Sequence, residues 1–448
     1  MHLWPSATIR DSFKLAYLRK LEWNLQRMKR EKESSASVNQ KLLDSQEGGV
    51  QQSNSQEGEV NGKMAEVPNP KAHGVVLGLC REILMLLSCC FCCFCCGGSL
   101  DTLTTRRILP NHSYKMAHPI AEANDQSPFG SLTPDAFYSR HKVSHASEYI
   151  TNPRGLKLFT QWWTPLPPTP VLGTLAIVHG FTGETSWFVQ LTAVHFAKSG
   201  FAVCAIDHQG HGFSDGLVAH IPDINPVVDD CISFFDSFRA RHAPPNLPAF
   251  LYAESLGGAI ALLITLRQGS GAWNGLILNG AMCGISAKIK PPWPLEHLLF
   301  LVAAVIPTWR VVPTRGSLPD LSFKVEWKRR LALASPRRTV ARPRAATALE
   351  LLRVCKELQA RFEEVEVPLL IVHGGDDLVC DPACAEELYG RASSKDKTLR
   401  IREGMWHQLV GETQEDVDLV FGEMVAWLRT RAERASTAAA AAANGGAA

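Results

Sequence analysis

A serine set between an apolar strand and a run of small residues constrains this chain more than any other stretch. The pentapeptide A-E-S-L-G occupies Ala253–Gly257, after the apolar run Ala249–Tyr252 and before a small-residue helical pattern, Leu256–Leu266. A chain that passes from strand to helix in so few residues must turn sharply, and a serine at the apex is exposed there. Small flanking residues let backbone pack on backbone. The glycine usual at the first position of such an elbow is Ala253 here. A five-residue pattern carries little weight alone, so the reading depends on partners further along the chain.

A serine hydroxyl becomes a nucleophile when a base takes its proton and a third group orients that base. Around this kind of elbow the partners come in the order Ser, Asp or Glu, His. Downstream, P-L-L-I-V-H-G-G-D-D at Pro368–Asp377 reads as an apolar strand breaking into an acidic loop. T-L-R-I-R-E-G-M-W-H at Thr398–His407 repeats the pattern and ends on a histidine. Both fall past the C-terminal ends of strands, where open α/β sheets place their sites. Ser255, His407 and Asp377 are the candidate nucleophile, base and orienting acid. Asp376 competes with Asp377, because spacing does not separate neighbours, and Asp381 is a more distant third. Alone, each would read as a loop cap or a surface residue. Three in order on three strand ends favour catalysis.

The strand Leu175–Val178 runs into H-G-F-T-G-E at His179–Glu184. The backbone amides of Phe181 and of Leu256, just after the nucleophile, are the candidate donors to an oxyanion. His179 reads as a loop-shaping residue rather than a catalytic one. The segment Ile206–Gly216, I-D-H-Q-G-H-G-F-S-D-G, holds two histidines and two aspartates. Its glycines and its place after a strand argue for a tight supporting loop, and no metal is assigned to it.

With 448 residues the chain has room for one large α/β domain plus appendages. A formal net charge of +2 gives no global attraction to nucleic acid. Seven of the thirteen cysteines lie between Cys80 and Cys96, including C-C-F-C-C-F-C-C at Cys89–Cys96. The other six are scattered singly, without a disulfide rhythm. Together with the lack of a signal-peptide pattern, that scatter leads to the expectation of a reducing, cytoplasmic compartment. Asp11–Lys32 reads as a basic amphipathic helix and Ser34–Lys63 as a disordered linker. The apolar run Ile83–Cys96 is too short for an ordinary membrane span. Its cysteines are S-acylation candidates that would tether the protein peripherally to a membrane. A zinc cluster is disfavoured, since adjacent cysteine pairs lack loop spacing and no histidine joins them. The competing expectation is that residues 1–115 are an extension the working enzyme does without, Met116 being an alternative start.

From Ser147 onward strands and helices alternate. Strands are expected near Ser147–Thr151, Leu156–Trp163, Thr174–His179, Phe201–Ile206, Ala249–Ala253, Gly275–Asn279, Leu369–His373 and Thr398–Arg402. This predicts an α/β fold, a mostly parallel sheet with helices on both faces and an antiparallel edge. The last helix is expected over Gln414–Arg431, with an alanine-rich tail over 436–448. The domain is expected over 116–435, with a helical cap at about 281–365. In the cap, Leu295–Ile306 is apolar nearly all round. Such a helix lines an acyl tunnel, touches a membrane or, most commonly, is buried. Trp309–Arg344 holds ten Lys or Arg against Asp320 and Glu326. That excess reads as a solvated face, or as an attractor of anionic lipid or substrate.

The motifs H-G-F-T-G-E, A-E-S-L-G-G, H-G-G-D-D-L-V-C-D, E-G-M-W-H and P-T-W-R at Pro307–Arg310 resemble the plant monoacylglycerol lipase-like family of α/β-hydrolases, which includes caffeoylshikimate esterases. The likeness covers roughly Ala117–Ala432, one large domain. It implies Ser255 as nucleophile, His407 as base and Asp377 as acid, the register D-x-V-x-D of Asp377–Asp381 deciding against Asp376. It implies oxyanion donors at Phe181 and Leu256, and a head-group contact at Glu184. It implies no cofactor and no metal. Ala253 departs from the family's glycine, and the N-terminal extension has no counterpart in it. The expected activity is hydrolysis of a monoacylglycerol, or a lysophospholipid, through an acyl-enzyme. The alternatives are a caffeoylshikimate esterase, which would need a cation for the shikimate carboxylate, and an acyltransferase using the same acyl-enzyme. The H-x-x-x-x-D motif of one acyltransferase group is absent from the chain, and an intact triad speaks against an inactive scaffold.

Overall fold

The computed structural model describes residues 116–445 apart from 243–246, 287–294, 312–316 and 339–341. They belong to one unit, Leu109–Ala448. The helix expected at Asp11–Lys32, the linker Ser34–Lys63 and the cysteine cluster Cys89–Cys96 lie outside the described residues.

Eight strands form where the apolar runs place them: β1 (Val143–Thr151), β2 (Lys157–Pro165), β3 (Gly173–Val178), β4 (Phe201–Ile206), β5 (Ala249–Glu254), β6 (Gly275–Asn279), β7 (Leu369–Gly374) and β8 (Lys397–Arg402). They make one sheet in the order β1-β2-β4-β3-β5-β6-β7-β8. β2 is antiparallel to β1 and β4, which is the expected edge, and the remaining pairs are parallel. Helices α1 (Pro134–Arg140), α2 (Phe188–Lys198), α3 (Asn225–His242) and α4 (Leu256–Gln268) precede β6. The cap comes next as α5 (Leu295–Val305), α6 (Leu318–Ser322), α7 (Glu326–Ala334) and α8 (Ala345–Ala360). The chain closes with α9 (Pro382–Arg391) and α10 (Gln414–Gly445). This is the α/β-hydrolase fold.

Successive residues of a strand face opposite sides of the sheet. In β3, Ala176 and Val178 join a core with α3 and α4, whereas Leu175 and Ile177 join another with α2 and α10. β4 divides the same way, Cys204 and Ile206 against Val203 and Ala205. A strand buried on both faces needs an apolar residue at nearly every position, so the central strands read as unbroken runs. The open C-terminal ends of β5, β7 and β8 lie on one edge of the sheet, and that edge carries the site.

Three features of the helices differ from expectation. α10 continues past Arg431 to Gly445. The alanine tail has the highest helix propensity and extends turns already nucleated on the packed face of Val417, Phe421 and Met424. α5 is not fully buried. Leu299 packs with Ala348, Leu349 and Leu352 of α8, while Leu298, Phe300, Leu301 and Val305 are exposed, Val305 by 79%. One neighbouring helix covers only one seam of a cylinder. The basic stretch of the cap is not a single solvated face either. Lys328 is buried, and its Nζ donates to the carbonyls of Val410 (3.0 Å) and Glu412 (2.7 Å). Arg329 pairs with Asp320 and Glu326 at the surface.

Candidate active site

Ser255 stands between β5 and α4 with φ 53° and ψ −122°. A side-chain residue holds such a conformation at a cost of about 1–3 kcal/mol, and only when its surroundings impose it. Close packing does so here. A Cβ at Gly257 would lie 2.1 Å from the carbonyl oxygen of Val178, and one at Gly180 would lie 2.9 Å from Ser255 Cβ. Ala253 is buried in the ladder between Val178 and Leu278, where a methyl fits. Alanine in place of the usual glycine therefore leaves the turn formed.

His407 comes after β8, with Nε2 3.0 Å from Ser255 Oγ and Nδ1 2.7 Å from Asp377 Oδ2. Asp376, the rival acid, stays half-buried beside it on the loop after β7. Asp381 caps α9 by accepting from the Ala383 amide at 3.1 Å. The second oxygen of Asp377, Oδ1, accepts from the amides of Val379 (2.7 Å) and Cys380 (2.9 Å). A further histidine, His373, is buried with Nε2 3.0 Å from Asp377 Oδ2. Sequence reasoning gave it no role, although a strand-end histidine four residues before the acid was a readable signal. Burial, the largest influence on Asp377, pushes its pKa up. The charge and hydrogen bond of His407, with His373 close by, outweigh that and hold the carboxyl well below its usual range.

Donor atoms of Asp377, Cys380 and His407 lie within 4.8 Å of one another, the type of grouping that can ligate a metal. Both ring nitrogens of His407 are already engaged, by Ser255 and Asp377, and burial raises the Cys380 thiol pKa well above normal. The donor set thus suits a proton relay better than a cation.

The loop after β3 turns on itself, the Gly183 amide donating to the Gly180 carbonyl at 3.0 Å. His179 shapes it from beneath, with Nδ1 2.8 Å from the Gly180 carbonyl oxygen and Nε2 accepting from the His208 amide at 3.1 Å. Burial first, then the nearby His208 and His211, lower its pKa, so it stays neutral. Asp207 clamps the same loop, accepting from the amides of Thr185 (2.7 Å) and Phe213 (2.9 Å). The His- and Asp-rich segment after β4 is thereby a support for the site. Phe181 and Leu256, the two expected oxyanion donors, both line the cavity above Ser255.

That cavity has a volume of about 420 Å³. Phe188, Leu318, Phe323, Leu351 and Val379 make much of its wall, and among the described side chains none of those lining it belongs to α5. Of the cap helices, α6 and α8 supply described residues of that wall, and the described side chains of Leu295–Ile306 do not line it as an acyl tunnel would require. One part of the cavity is polar. Glu184 lies there, buried, accepting from the Ser186 amide (2.5 Å) and from Ser335 Oγ (3.2 Å), with Arg338 also on the wall. Burial first, and then the charge of Asp207, keep Glu184 well above the usual carboxylate range. Ser335 and Arg338 come from the cap and carried no motif signal.

Residues 169–414, more than half of the chain, match the model of a family described as Hydrolase_4, serine aminopeptidase S33. The chain is 33% identical to a caffeoylshikimate esterase of Arabidopsis thaliana over 68% of its own length and 92% of the relative's. It is 29% identical to a human monoglyceride lipase over 65% of its own length and 92% of the relative's. Among solved structures, a soluble variant of monoglyceride lipase from Saccharomyces cerevisiae, in complex with a substrate analog, superposes with a TM-score of 0.57 at 22% identity. That superposition covers 64% of this chain and 95% of the other, and supports the fold.

Proposed function

Because the chain belongs to the serine aminopeptidase S33 family, Hydrolase_4, we propose that it is a serine ester hydrolase cleaving the ester bond of a monoacylglycerol or a lysophospholipid. The observation that carries this reading is the hydrogen-bonded series Ser255–His407–Asp377 in a cavity that is apolar over most of its wall and polar at Glu184. His407 Nε2 takes the Ser255 proton as Oγ attacks the ester carbonyl, and Asp377 stabilises the imidazolium. The amides of Phe181 and Leu256 hold the tetrahedral oxyanion. Collapse of the intermediate breaks the bond to the alcohol oxygen, which leaves with the proton from His407. A water, deprotonated by His407, then frees the acid.

A second reading, cleavage of a caffeoyl shikimate ester, is favoured by the 33% identity to the Arabidopsis relative. Both are tested by comparing kcat/KM for a long-chain 1-monoacylglycerol and for caffeoyl shikimate on the full chain, with Ser255→Ala as blank. A ratio of about tenfold or more in favour of the monoacylglycerol is expected. The opposite ratio would reassign the substrate to the aromatic ester.

The exposed apolar face of α5, with Trp309 exposed just beyond it, is the face we expect to meet lipid. Arg310 and Arg344 flank it, both donating to the Val218 carbonyl, and would add attraction to anionic headgroups. No helix among the described residues is long and apolar enough to cross a membrane. Co-sedimentation with phosphatidylserine-containing vesicles is expected to fall about fivefold or more in a Leu301→Glu, Val305→Glu double variant. If instead serine substitutions across Cys89–Cys96 abolish binding and the α5 variant does not, the tether is N-terminal.

A further inference from the structure

Arg338 is a cation on the wall of the Ser255 cavity whose hydrogen bonding is incomplete. Its Nε is buried without a hydrogen-bond partner, and no carboxylate among the described residues lies within 4.0 Å of the guanidinium. The group rests near the ring of Phe323, 5.6 Å from its centroid. Glu184 and Glu254 are close enough to feel its charge. Both are already committed, Glu184 to Ser186 and Ser335, and Glu254 to the hydroxyl of Tyr252 at 2.5 Å. Burial raises the pKa of both acids, that of Glu184 to about 8, which weakens its pairing with the arginine at neutral pH. Arginine itself remains charged even when burial lowers its pKa. A second cation, Arg342, also lines the cavity and is exposed.

A buried, charged donor without an acceptor is costly in the empty protein and is relieved by a ligand that brings one. The planar guanidinium fits the paired oxygens of a carboxylate or a phosphate. It lines the cavity with Glu184 and Ser335, where the polar part meets the apolar wall at Phe323. We infer that Arg338 is a specificity-determining residue that takes an anionic oxygen on the alcohol half of the ester. The inference rests on the reading of Ser255 as the nucleophile of an ester hydrolase.

Three esters with one acyl chain test it: 1-lauroylglycerol, 3-lauroylglycerate and 1-lauroylglycerol 3-phosphate. With the wild-type full chain, at least one anionic ester is expected to match or exceed the neutral one in kcat/KM. Arg338→Gln is expected to lower kcat/KM for that anionic ester about 10- to 100-fold, mainly through KM, and to change 1-lauroylglycerol by less than about threefold. Arg338→Lys should recover part of the loss. Loss confined to the glycerate identifies a carboxylate as the ligand, and loss confined to the phosphate ester a phosphate. Equal losses on all three esters, or no loss on either anionic one, would overturn the inference. Labelling of Ser255 by a fluorophosphonate at an unchanged rate shows that the variant's site is folded. If the wild type labels yet hydrolyses none of the esters nor p-nitrophenyl laurate, the hydrolase reading itself fails, and this inference with it.

Discussion

Ser255→Ala is expected to lower kcat for a monoacylglycerol by about 100,000-fold or more, leaving only the rate that binding and the oxyanion donors provide. The residue is not interchangeable with anything near it. Its Oγ is held 3.0 Å from His407 Nε2 by a backbone conformation that the surrounding glycines permit and the packing enforces. Cys380, a thiol on the cavity wall, is buried with its pKa raised, so it cannot substitute as a thiolate. Alanine accepts the same backbone strain as serine, so the melting temperature should move by no more than a few degrees. Turnover assays with thermal melting as the fold control check both halves. Wild-type turnover in the alanine variant would end the serine-hydrolase reading.

Asp377→Asn should cost about 1,000- to 10,000-fold in kcat, and Asp376→Asn less than about threefold. The difference comes from which carboxylate faces the histidine. Asp377 Oδ2 lies 2.7 Å from His407 Nδ1, so it fixes the tautomer that leaves Nε2 free to accept the Ser255 proton. An asparagine in its place can turn its NH₂ toward Nδ1 and stabilise the wrong tautomer. The amides of Val379 and Cys380, both donating to Oδ1, favour that orientation, since the amide oxygen would keep their bonds. KM should change little, because Asp377 does not line the cavity. Steady-state kinetics on the two asparagine variants decide between the acids. A larger loss from Asp376→Asn than from Asp377→Asn would move the orienting role one residue upstream.

Much of the site was legible because its parts are local. An elbow needs small residues within a few positions of its serine, and strand ends announce themselves where apolar runs break into Gly-rich loops. His373 shows the limit of such reading. Its residue type and place were visible, but its approach to Asp377 Oδ2 depends on how the loop after β7 folds back. Arg338 shows a different limit. It is one of ten basic residues between Trp309 and Arg344, and nothing in the order of that stretch distinguishes it from Lys328 or Arg329. Lys328 is buried against carbonyls, Arg329 pairs with surface acids, and Arg338 reaches the cavity. Their neighbours come from distant segments, and only packing assigns them.

The same division holds for the whole chain. By itself the sequence determined the eight strands, the two-sided burial of the central ones, the elbow and the placing of the candidates Ser255 and His407 at strand ends. Each of these depends on residue periodicity or on chemistry confined to a few consecutive positions. The family register pointed to Asp377 over Asp376, and tertiary structure supplied the contact of Asp377 with His407 that spacing leaves open. It also left one face of α5 open and set Arg338 in the cavity with Glu184. Those outcomes depend on what lies across a gap in space, and a linear pattern holds no record of the residues on the far side.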